Sequence, residues 1–137
     1  MIIDDGHLRI TTVESDALAT DHAGENLSEW VGAAAVTARV DNFLRQLRST
    51  ASSSERARLG AGTVILDPPR AGAGKGVVEQ LLILDPVQVV YVACDPVALA
   101  RDVALFAAGG YALTRLRAFD LFPNTHHIEA VATLTKV

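Results

Sequence analysis

The sequence predicts an α/β protein built on an open, mostly parallel β-sheet with an antiparallel hairpin at its C-terminal end. Short aliphatic runs alternate along the chain with longer segments of helical composition, which is the order found in βαβ units. Two runs, TVIL at residues 63–66 and VQVVYVA at residues 87–93, are almost continuously apolar, as in strands covered on both faces. The last two runs, residues 111–118 and 128–134, have no helix-length segment between them and are therefore predicted to pair antiparallel.

The first half of the chain contains two predicted strand–helix units. Residues 8–13 (LRITTV) are rich in β-branched side chains, which favour a strand, and residues 16–29 have helical composition. Residues 33–40 (AAAVTARV) form the second predicted strand. Residues 41–49 place apolar side chains at helical spacing and predict an amphipathic helix. The serine-rich residues 49–54 then predict a mobile polar loop.

The second half repeats this order before the final hairpin. Residues 63–66 form a strand, the proline- and glycine-rich residues 67–76 a loop, and residues 77–84 a helix. The strand at residues 87–93 is followed by a helix that ends near Ala108. An Asp-Pro pair supplies the N-cap and the first-turn proline of this helix, and a Gly-Gly pair ends it.

Length and composition limit the chain to one domain in a reducing, aqueous setting. Its 137 residues, half of them hydrophobic, can bury one substantial core but not a second folded module. The single cysteine excludes an internal disulfide and a cysteine-based metal cage, and it suits the cytoplasm. No signal peptide or membrane-spanning run is recognisable, and a net charge of -4 lacks the basic face of an autonomous nucleic-acid-binding domain. We therefore expect a cytoplasmic protein without a membrane partner.

Four chemically useful side chains follow the first four predicted strands. They are Glu14, Asp41, Asp67 and Cys94. In open α/β sheets, ligands bind outside the carboxyl ends of the strands, so these side chains are expected to meet at one edge. The sequence therefore predicts a nucleotide-type cofactor site there.

Cys94 stands at the end of a predicted strand, immediately before a helix start. A lone cysteine in this position is either a small buried hydrophobic residue or a thiol whose thiolate form is favoured by the helix dipole. Asp95 opposes the thiolate if its carboxylate points at the sulfur, and supports it if the carboxylate only caps the helix. The sequence leaves both alternatives open.

The loop after residue 66 begins with Asp67, two prolines and Arg70. The prolines remove backbone donors and hold the chain extended, which either directs the Asp67 carboxylate into a cleft or forms an ordinary turn. Arg70 can bind a phosphate or carboxylate, or pair with a surface acid. The following AGAGKG lacks the Ser or Thr that a phosphate-binding loop needs after its lysine, and we interpret it as a flexible loop.

The segment that opens the last predicted strand contains two histidines and an acid. His126 and His127 are adjacent, so on a strand they point to opposite faces, and a third ligand is lacking; we therefore predict no metal site. Glu129 shares the face of His127 and precedes an apolar run. It is either a solvated strand end or a positioned general base.

Three segments together resemble the closing motifs of a known family. VILDPPRAG, YVACDPVALARD and DLFPNTHHIEAV are similar, in order and spacing, to those of the uracil-5 RNA methyltransferases, which use S-adenosyl-L-methionine to make 5-methyluridine in tRNA and 23S rRNA. Upstream, VESDALATDHAGEN resembles the acidic strand end of the family and the helix after it. The resemblance covers residues 10–137 and implies a Rossmann-like methyltransferase sheet, S-adenosyl-L-methionine as cofactor and tRNA or rRNA as partner.

The resemblance also implies a role for each candidate residue. Cys94 is the nucleophile that adds to C6 of a flipped uracil, and Glu129 is the general base that removes the C5 proton. The residues implied in ligand binding are Glu14, Asp41 and Asp67 for the cofactor, and Arg70 and His127 for the RNA or the flipped base.

Two departures from the family pattern modify these expectations. The chain has Ala-Cys-Asp-Pro at residues 93–96 where the family usually has Ser-Cys-Asn-Pro. The RNA-binding β-barrel, the central region and the first cofactor strand with its glycine-rich loop are not among these residues. We therefore expect a single partial domain, residues 1–137, whose strands at 8–13 and 63–66 face a gap or pair directly, and which acts within a longer chain or with a partner. The alternative is a non-catalytic α/β interaction module that binds no cofactor.

Overall fold

The computed structural model describes residues 2–3, 9–125 and 128–137. The strands are β1 Ile2–Ile3, β2 Ile10–Glu14, β3 Ala33–Thr37, β4 Thr63–Leu66, β5 Gln88–Ala93, β6 Tyr111–Phe119 and β7 Glu129–Lys136. The helices are α1 Ala17–Asn26, α2 Val40–Thr50, α3 Ser53–Ala61, α4 Gly74–Leu84 and α5 Pro96–Ala108. The predicted alternation of strands and helices is confirmed.

The strands belong to two sheets. One has the order β1-β4-β5-β7-β6, and the other is the parallel pair β2-β3. Strands β4 and β5 are parallel, while β7 lies antiparallel between β5 and β6. The Rossmann-like α/β architecture with a C-terminal antiparallel hairpin is thus confirmed, and β7 joins that hairpin to the parallel part of the sheet.

Of the two expectations for β2 and β4, the structure shows the gap. Within the described ranges, β2 pairs with β3 alone and forms no ladder with β4. The short strand β1 pairs antiparallel with Thr63 and Val64, at the beginning of β4. The two sheets are therefore not joined by strand pairing, and a cleft opens between their carboxyl ends.

The core lies between the larger sheet and helices α4 and α5. Val78 and Leu81 of α4, Phe106 of α5 and Val89 of β5 are almost completely buried. The rings of Phe106 and Tyr111 meet edge to face, with centroids 5.7 Å apart and planes inclined at 68°. This packing holds the end of α5 against the start of the hairpin and so fixes the direction in which α5 leaves β5.

The expected mobile loop at residues 49–54 was wrong. Helix α2 continues to Thr50, and α3 begins at Ser53, so that only Ala51 and Ser52 separate the helices. The Ser52 hydroxyl accepts a hydrogen bond from the backbone N–H of Glu55 at 3.3 Å, and the Glu55 carboxylate accepts one from the Ser52 N–H at 2.9 Å. This reciprocal capping box has the sequence signature Ser-x-x-Glu, which outweighs the loop preference of the serines.

Other element ends differ from expectation by a few residues. Helix α4 begins at Gly74, inside the AGAGKG segment that was predicted to be a flexible loop, while β3 ends at Thr37 instead of residue 40. Strand β2 is described from Ile10. Helix and strand ends depend on capping and pairing more than on local propensity, which makes them the least predictable positions.

Replacing Ser52 with alanine is expected to lower the free energy of unfolding by about 1 kcal/mol, because it removes the hydroxyl that caps α3. Hydrogen bonds from the Ser52 backbone and hydroxyl also lower the pKa of Glu55, so this pKa should rise in the variant. Urea unfolding and NMR titration of Glu55 measure the two effects. Ser53→Ala leaves the capping box intact and is the control; equal losses in both variants would contradict the capping argument.

Candidate active site

A cleft of about 550 Å³ lies at the carboxyl ends of β2 and β4. Its walls come from β2, the start of α2, the turn after β4 and the first turns of α4. Glu14, Asp41 and Asp67 all line it, so the structure brings together the three carboxylates that the sequence predicts as cofactor ligands. The volume is in the range of sites for small molecules and cofactors.

Glu14 is fixed by the turn that follows it. Its Oε1 accepts hydrogen bonds from the backbone N–H of Ser15 at 2.6 Å and from that of Asp16 at 3.2 Å. The Ser15 hydroxyl donates to the same oxygen at 3.2 Å. These bonds orient the carboxylate at the mouth of the cleft before any ligand is bound.

Asp41 lies in the first turn of α2 between two arginines. Arg39 Nε donates to its Oδ1 at 3.2 Å, and Arg45 Nη2 approaches Oδ2 at 3.4 Å. The hydrogen bond from Arg39 is the main cause that lowers the pKa of Asp41. Asp41 is therefore ionised at neutral pH, and its two oxygens already have cationic partners. Asp67, by contrast, lies exposed at the end of β4.

The turn after β4 separates the cleft from a crevice that is too narrow to hold a water molecule. Pro68, Pro69 and Gly72 line both, whereas Arg70 lines only the crevice, together with Cys94. The Gly72 N–H donates to the Pro69 carbonyl at 2.8 Å, which closes the turn. Arg70 and Cys94 therefore line the same crevice.

Cys94 directly follows β5, is half-buried and forms no disulfide. The neighbouring Asp95 is the N-cap of α5, because its Oδ1 accepts a hydrogen bond from the Ala98 N–H at 2.7 Å. Of the two alternatives for Asp95, the structure therefore shows the capping role. Cys94 therefore stands immediately before the N-cap of α5.

Glu129 is the first residue of β7, and its register relates it to Cys94. Ala93 pairs with Ala130 at the end of the β5–β7 ladder. Cys94 directly follows Ala93 and Glu129 directly precedes Ala130, so the two residues adjoin the last pair of this ladder. The two predicted catalytic residues therefore lie near one another at the carboxyl end of β5.

The structure also reveals a buried residue that the sequence reasoning missed. Asp102 of α5 is fully buried, and its Oδ2 accepts hydrogen bonds from the Tyr91 hydroxyl at 2.7 Å and from the Ala73 N–H at 2.8 Å. A weaker bond comes from the Gly74 N–H at 3.2 Å. The helical periodicity could have identified it, since Asp102 lies three residues after Leu99 and four before Phe106, both on the buried face of α5.

The charge of Asp102 is stabilised despite its burial. Burial raises the pKa of this carboxyl, but the hydrogen bonds from Tyr91, Gly74, Arg101 and Ala73 together outweigh burial and lower the pKa. Arg101 Nη2 lies 3.0 Å from Oδ1 and completes the ion pair. Burial first, and the bond to Asp102 second, raise the pKa of the Tyr91 phenol. Asp102 is therefore an anion, and Tyr91 a neutral donor, at physiological pH.

Gly72→Ala is expected to destabilise the protein, whereas Gly76→Ala is not. Gly72 has φ +80°, and a Cβ there would lie 2.6 Å from Arg101 Nη2 and 2.6 Å from Asp102 Oδ2. Gly76, inside α4, has no atom within 4 Å of the added Cβ, and alanine favours a helix by about 1 kcal/mol over glycine. Urea unfolding should give free-energy changes of opposite sign. A neutral Gly72→Ala would contradict the close approach of the turn to α5.

The remaining predictions concern the two histidines, a metal site and membrane spans. His127, predicted to bind substrate, and His126 lie outside the described residues. Among residues 2–3, 9–125 and 128–137, no three His, Cys, Asp or Glu side chains lie together as metal ligands would. Across the same residues, no helix is both long and apolar enough to span a bilayer.

Comparisons with known proteins find similar chains of known description. A protein of Bifidobacterium longum described as an uncharacterized RNA methyltransferase is 39% identical over 128 residues, which is 93% of this chain and 28% of that protein. An uncharacterized RNA methyltransferase of Streptomyces avermitilis is 63% identical over 71 residues, covering 52% of this chain and 16% of its own length. The chain thus spans less than a third of the length of these curated relatives.

Solved structures show the same fold. The crystal structure of Pyrococcus abyssi tRNA (uracil-54, C5)-methyltransferase in complex with S-adenosyl-L-homocysteine superposes with a TM-score of 0.69 at 30% identity. The match covers 93% of this chain and 29% of that one. A putative RNA methyltransferase of Pyrococcus horikoshii, at 18% identity and a TM-score of 0.59 over 94% of this chain and 62% of its own, supports the fold alone.

A family match covers most of the site. The model of the tRNA (uracil-5-)-methyltransferase family matches residues 38–137, which include Asp41, Asp67, Arg70, Cys94 and Glu129. This range is well over half of the chain and contains every element from α2 to β7. The chain therefore belongs to the tRNA (uracil-5-)-methyltransferase family.

Proposed function

We propose that this chain is the catalytic portion of an RNA methyltransferase that methylates C5 of a uridine in tRNA or rRNA through a covalent Cys94 adduct. The observation that carries the proposal is the placement of Cys94 and Glu129 at the adjoining ends of β5 and β7, with Cys94 beside a turn that also forms one wall of the three-carboxylate cleft. A nucleophile and a base at one end of the sheet, next to a cofactor-sized cleft, are the parts that this reaction requires. We assign the reaction to the cytoplasm.

The cleft fits S-adenosyl-L-methionine in size and in its donors and acceptors. Glu14 is held with its carboxylate at the cleft, as needed to accept hydrogen bonds from the two hydroxyls of a ribose. Val40 and Phe43 provide apolar surface for a flat adenine ring, with Asp41 beside them and Asp67 across the cleft. When bound, the cofactor supplies an electrophilic methyl group, which C5 of the uracil accepts.

Cys94 and Glu129 act on the uracil itself. The Cys94 thiolate forms a bond to C6, and the electron pair of the C5=C6 double bond moves to C5, which makes C5 nucleophilic. After C5 has gained the methyl group, with cleavage of the cofactor's S–CH3 bond and S-adenosyl-L-homocysteine as the leaving group, the Glu129 carboxylate takes the C5 proton. The electron pair of the C5–H bond restores the double bond, and the C6–Sγ bond breaks to return the thiolate.

Arg70 and His127 are proposed to hold the RNA. Arg70 is exposed at the rim of the crevice that contains Cys94, so its guanidinium can bind a phosphate next to the target base. A base in a stacked helix cannot reach a half-buried thiol, so the uridine must be flipped out of its stack. His127 belongs to the same proposal through its position two residues before Glu129.

We also propose that a segment outside this chain completes the sheet between β2 and β4. The two sheets are not joined by strand pairing in the part of the chain that the structure describes, and the cleft lies between them. The relatives are more than three times as long as the region they share with this chain. Such a strand, from a longer chain or a partner, would close the floor of the cleft.

Methyl transfer to RNA tests this function. The chain is mixed with tRNA or 23S rRNA and S-adenosyl-L-methionine labelled in its methyl group, with and without a polypeptide carrying the upstream region of the Bifidobacterium longum relative. Digestion of the RNA and mass spectrometry should show labelled 5-methyluridine in the completed mixture. Absence of label in every combination, together with no heat of S-adenosyl-L-homocysteine binding in calorimetry, would favour a non-catalytic interaction module instead.

A further inference from the structure

Hydrogen bonds from two residues of α5 hold the turn between the cleft and the crevice. The Asp102 carboxylate bonds the Ala73 and Gly74 N–H groups through Oδ2, and Arg101 Nη2 donates to the Ala71 carbonyl at 2.7 Å. Residues 71, 73 and 74 are thus tied to two adjacent residues of α5. The same turn lines the cleft and, together with Ala98 of α5, the crevice.

A single carboxylate therefore links the elements that carry the candidate site. Tyr91 of β5 donates its hydroxyl to Asp102 at 2.7 Å, and β5 ends immediately before Cys94. Helix α5, which carries Asp102, begins two residues after Cys94. The turn that carries Arg70 is the third element. Charge-assisted hydrogen bonds in a buried setting are short, directional and costly to break, so they hold these elements in one arrangement.

Gly72 approaches α5 closely, which leaves the turn little space to move relative to the helix. Asp102 Oδ2, Arg101 Nη2 and the Ala98 methyl group would all lie within 3.2 Å of a Cβ at this position. The turn can approach α5 so closely only because residue 72 has no side chain and has a positive φ. Movement of α5 would therefore be transmitted to the turn.

We propose that Asp102 is a positioning residue, which holds the turn over Cys94 and gives the shared wall of the cleft and the crevice its shape. This proposal rests on the proposed function, which assigns the cleft to the cofactor and the surface at Cys94 to the target base. Asp102 touches neither RNA nor cofactor. It acts through Ala73 and Gly74 on the cleft, and through the turn on Arg70 and Cys94.

The single cysteine makes the proposal measurable without methyl transfer. In the whole chain, the rate of Cys94 alkylation by iodoacetamide in native buffer reports the access that the neighbouring turn leaves to the half-buried thiol. Asp102→Asn keeps the shape but removes the charge, and we expect alkylation to be about tenfold faster and the affinity for S-adenosyl-L-homocysteine about tenfold lower. Asp85→Asn is the matched control. Asp85 pairs with Lys136 and has the left-handed conformation that asparagine tolerates, so both values should stay within about twofold of the parent chain.

Two further variants separate positioning from general destabilisation. Ser52→Ala weakens the cap of α3, outside the elements that Asp102 links, and it should leave native-state alkylation far below that of Asp102→Asn, because global unfolding stays rare. Arg101→Gln alters an exposed side chain and removes the hydrogen bond to the Ala71 carbonyl. This variant should accelerate alkylation of Cys94 severalfold. It tests the proposal even if Asp102→Asn does not fold. Unchanged alkylation in Arg101→Gln and in folded Asp102→Asn would overturn the proposal. If the parent chain binds no S-adenosyl-L-homocysteine, the proposed function fails, while the alkylation rates still decide the role of Asp102.

Discussion

Replacing Cys94 with alanine is expected to abolish methyl transfer, with a loss of at least about 10³-fold, because no other group can form the bond to C6. Cys94 is the single cysteine of the chain, so no neighbouring thiol can substitute. The thiol is half-buried at a strand end, and its replacement should change the free energy of unfolding only slightly. The measurement is label transfer from S-adenosyl-L-methionine to RNA in the completed mixture described above.

Glu129→Gln is the companion variant that assigns the second step. Glutamine cannot accept the C5 proton, so the bond to Cys94 should form and persist. Denaturing electrophoresis should therefore show a covalent protein–RNA complex in Glu129→Gln and none in Cys94→Ala. Methyl transfer that survives in Cys94→Ala, or an adduct that appears in it, would be incompatible with the covalent mechanism.

Phe106→Ala is expected to lower the free energy of unfolding by about 3–5 kcal/mol, a large part of the stability of a small domain. Phe106 is completely buried and meets Tyr111 edge to face. Its removal leaves a cavity where α5 packs against the start of β6, and the surrounding backbone can close it only partly. Urea unfolding followed by circular dichroism measures the loss.

Val97→Ala is the matched control for the core substitution. Val97 lies on the same helix but is 77% exposed, so its truncation should change the free energy of unfolding by less than about 0.5 kcal/mol. Similar losses in Phe106→Ala and Val97→Ala would show that the packing of α5 on the sheet does not support the fold as described. The comparison is internal to one helix and therefore insensitive to its overall helix propensity.

Much of the candidate site could be predicted because strands and their ends are visible in the sequence. The apolar runs that become β4 and β5 locate the sheet. A side chain that directly follows a parallel strand lies at the carboxyl edge of the sheet. For this reason Asp67 and Cys94 were correctly expected at that edge, and the structure places Glu14 and Asp41 around the same cleft. Their chemical roles stay predictions.

The sequence reasoning failed where a few specific hydrogen bonds outweigh the average conformational propensity of a segment. Ser52 and its neighbours have the composition of a loop, but one reciprocal pair of hydrogen bonds with Glu55 starts a helix instead. The AGAGKG segment contains three glycines, yet α4 begins at Gly74 because its first residues bond to Asp102. In both cases a few specific bonds outweigh average propensity, and one of them comes from a residue 28 positions away.

The sequence by itself determined the α/β order, the carboxyl-edge position of the candidate residues and the family resemblance, because all three follow from short-range pattern and residue identity. Only the tertiary structure decided that Cys94 and Glu129 adjoin the last pair of the β5–β7 ladder, that β2 and β4 stay apart, and that Asp102 bonds the turn. These facts depend on register and on contacts between elements distant in the chain. Such contacts form only when burial brings the elements together, and no local pattern of residues encodes the partner.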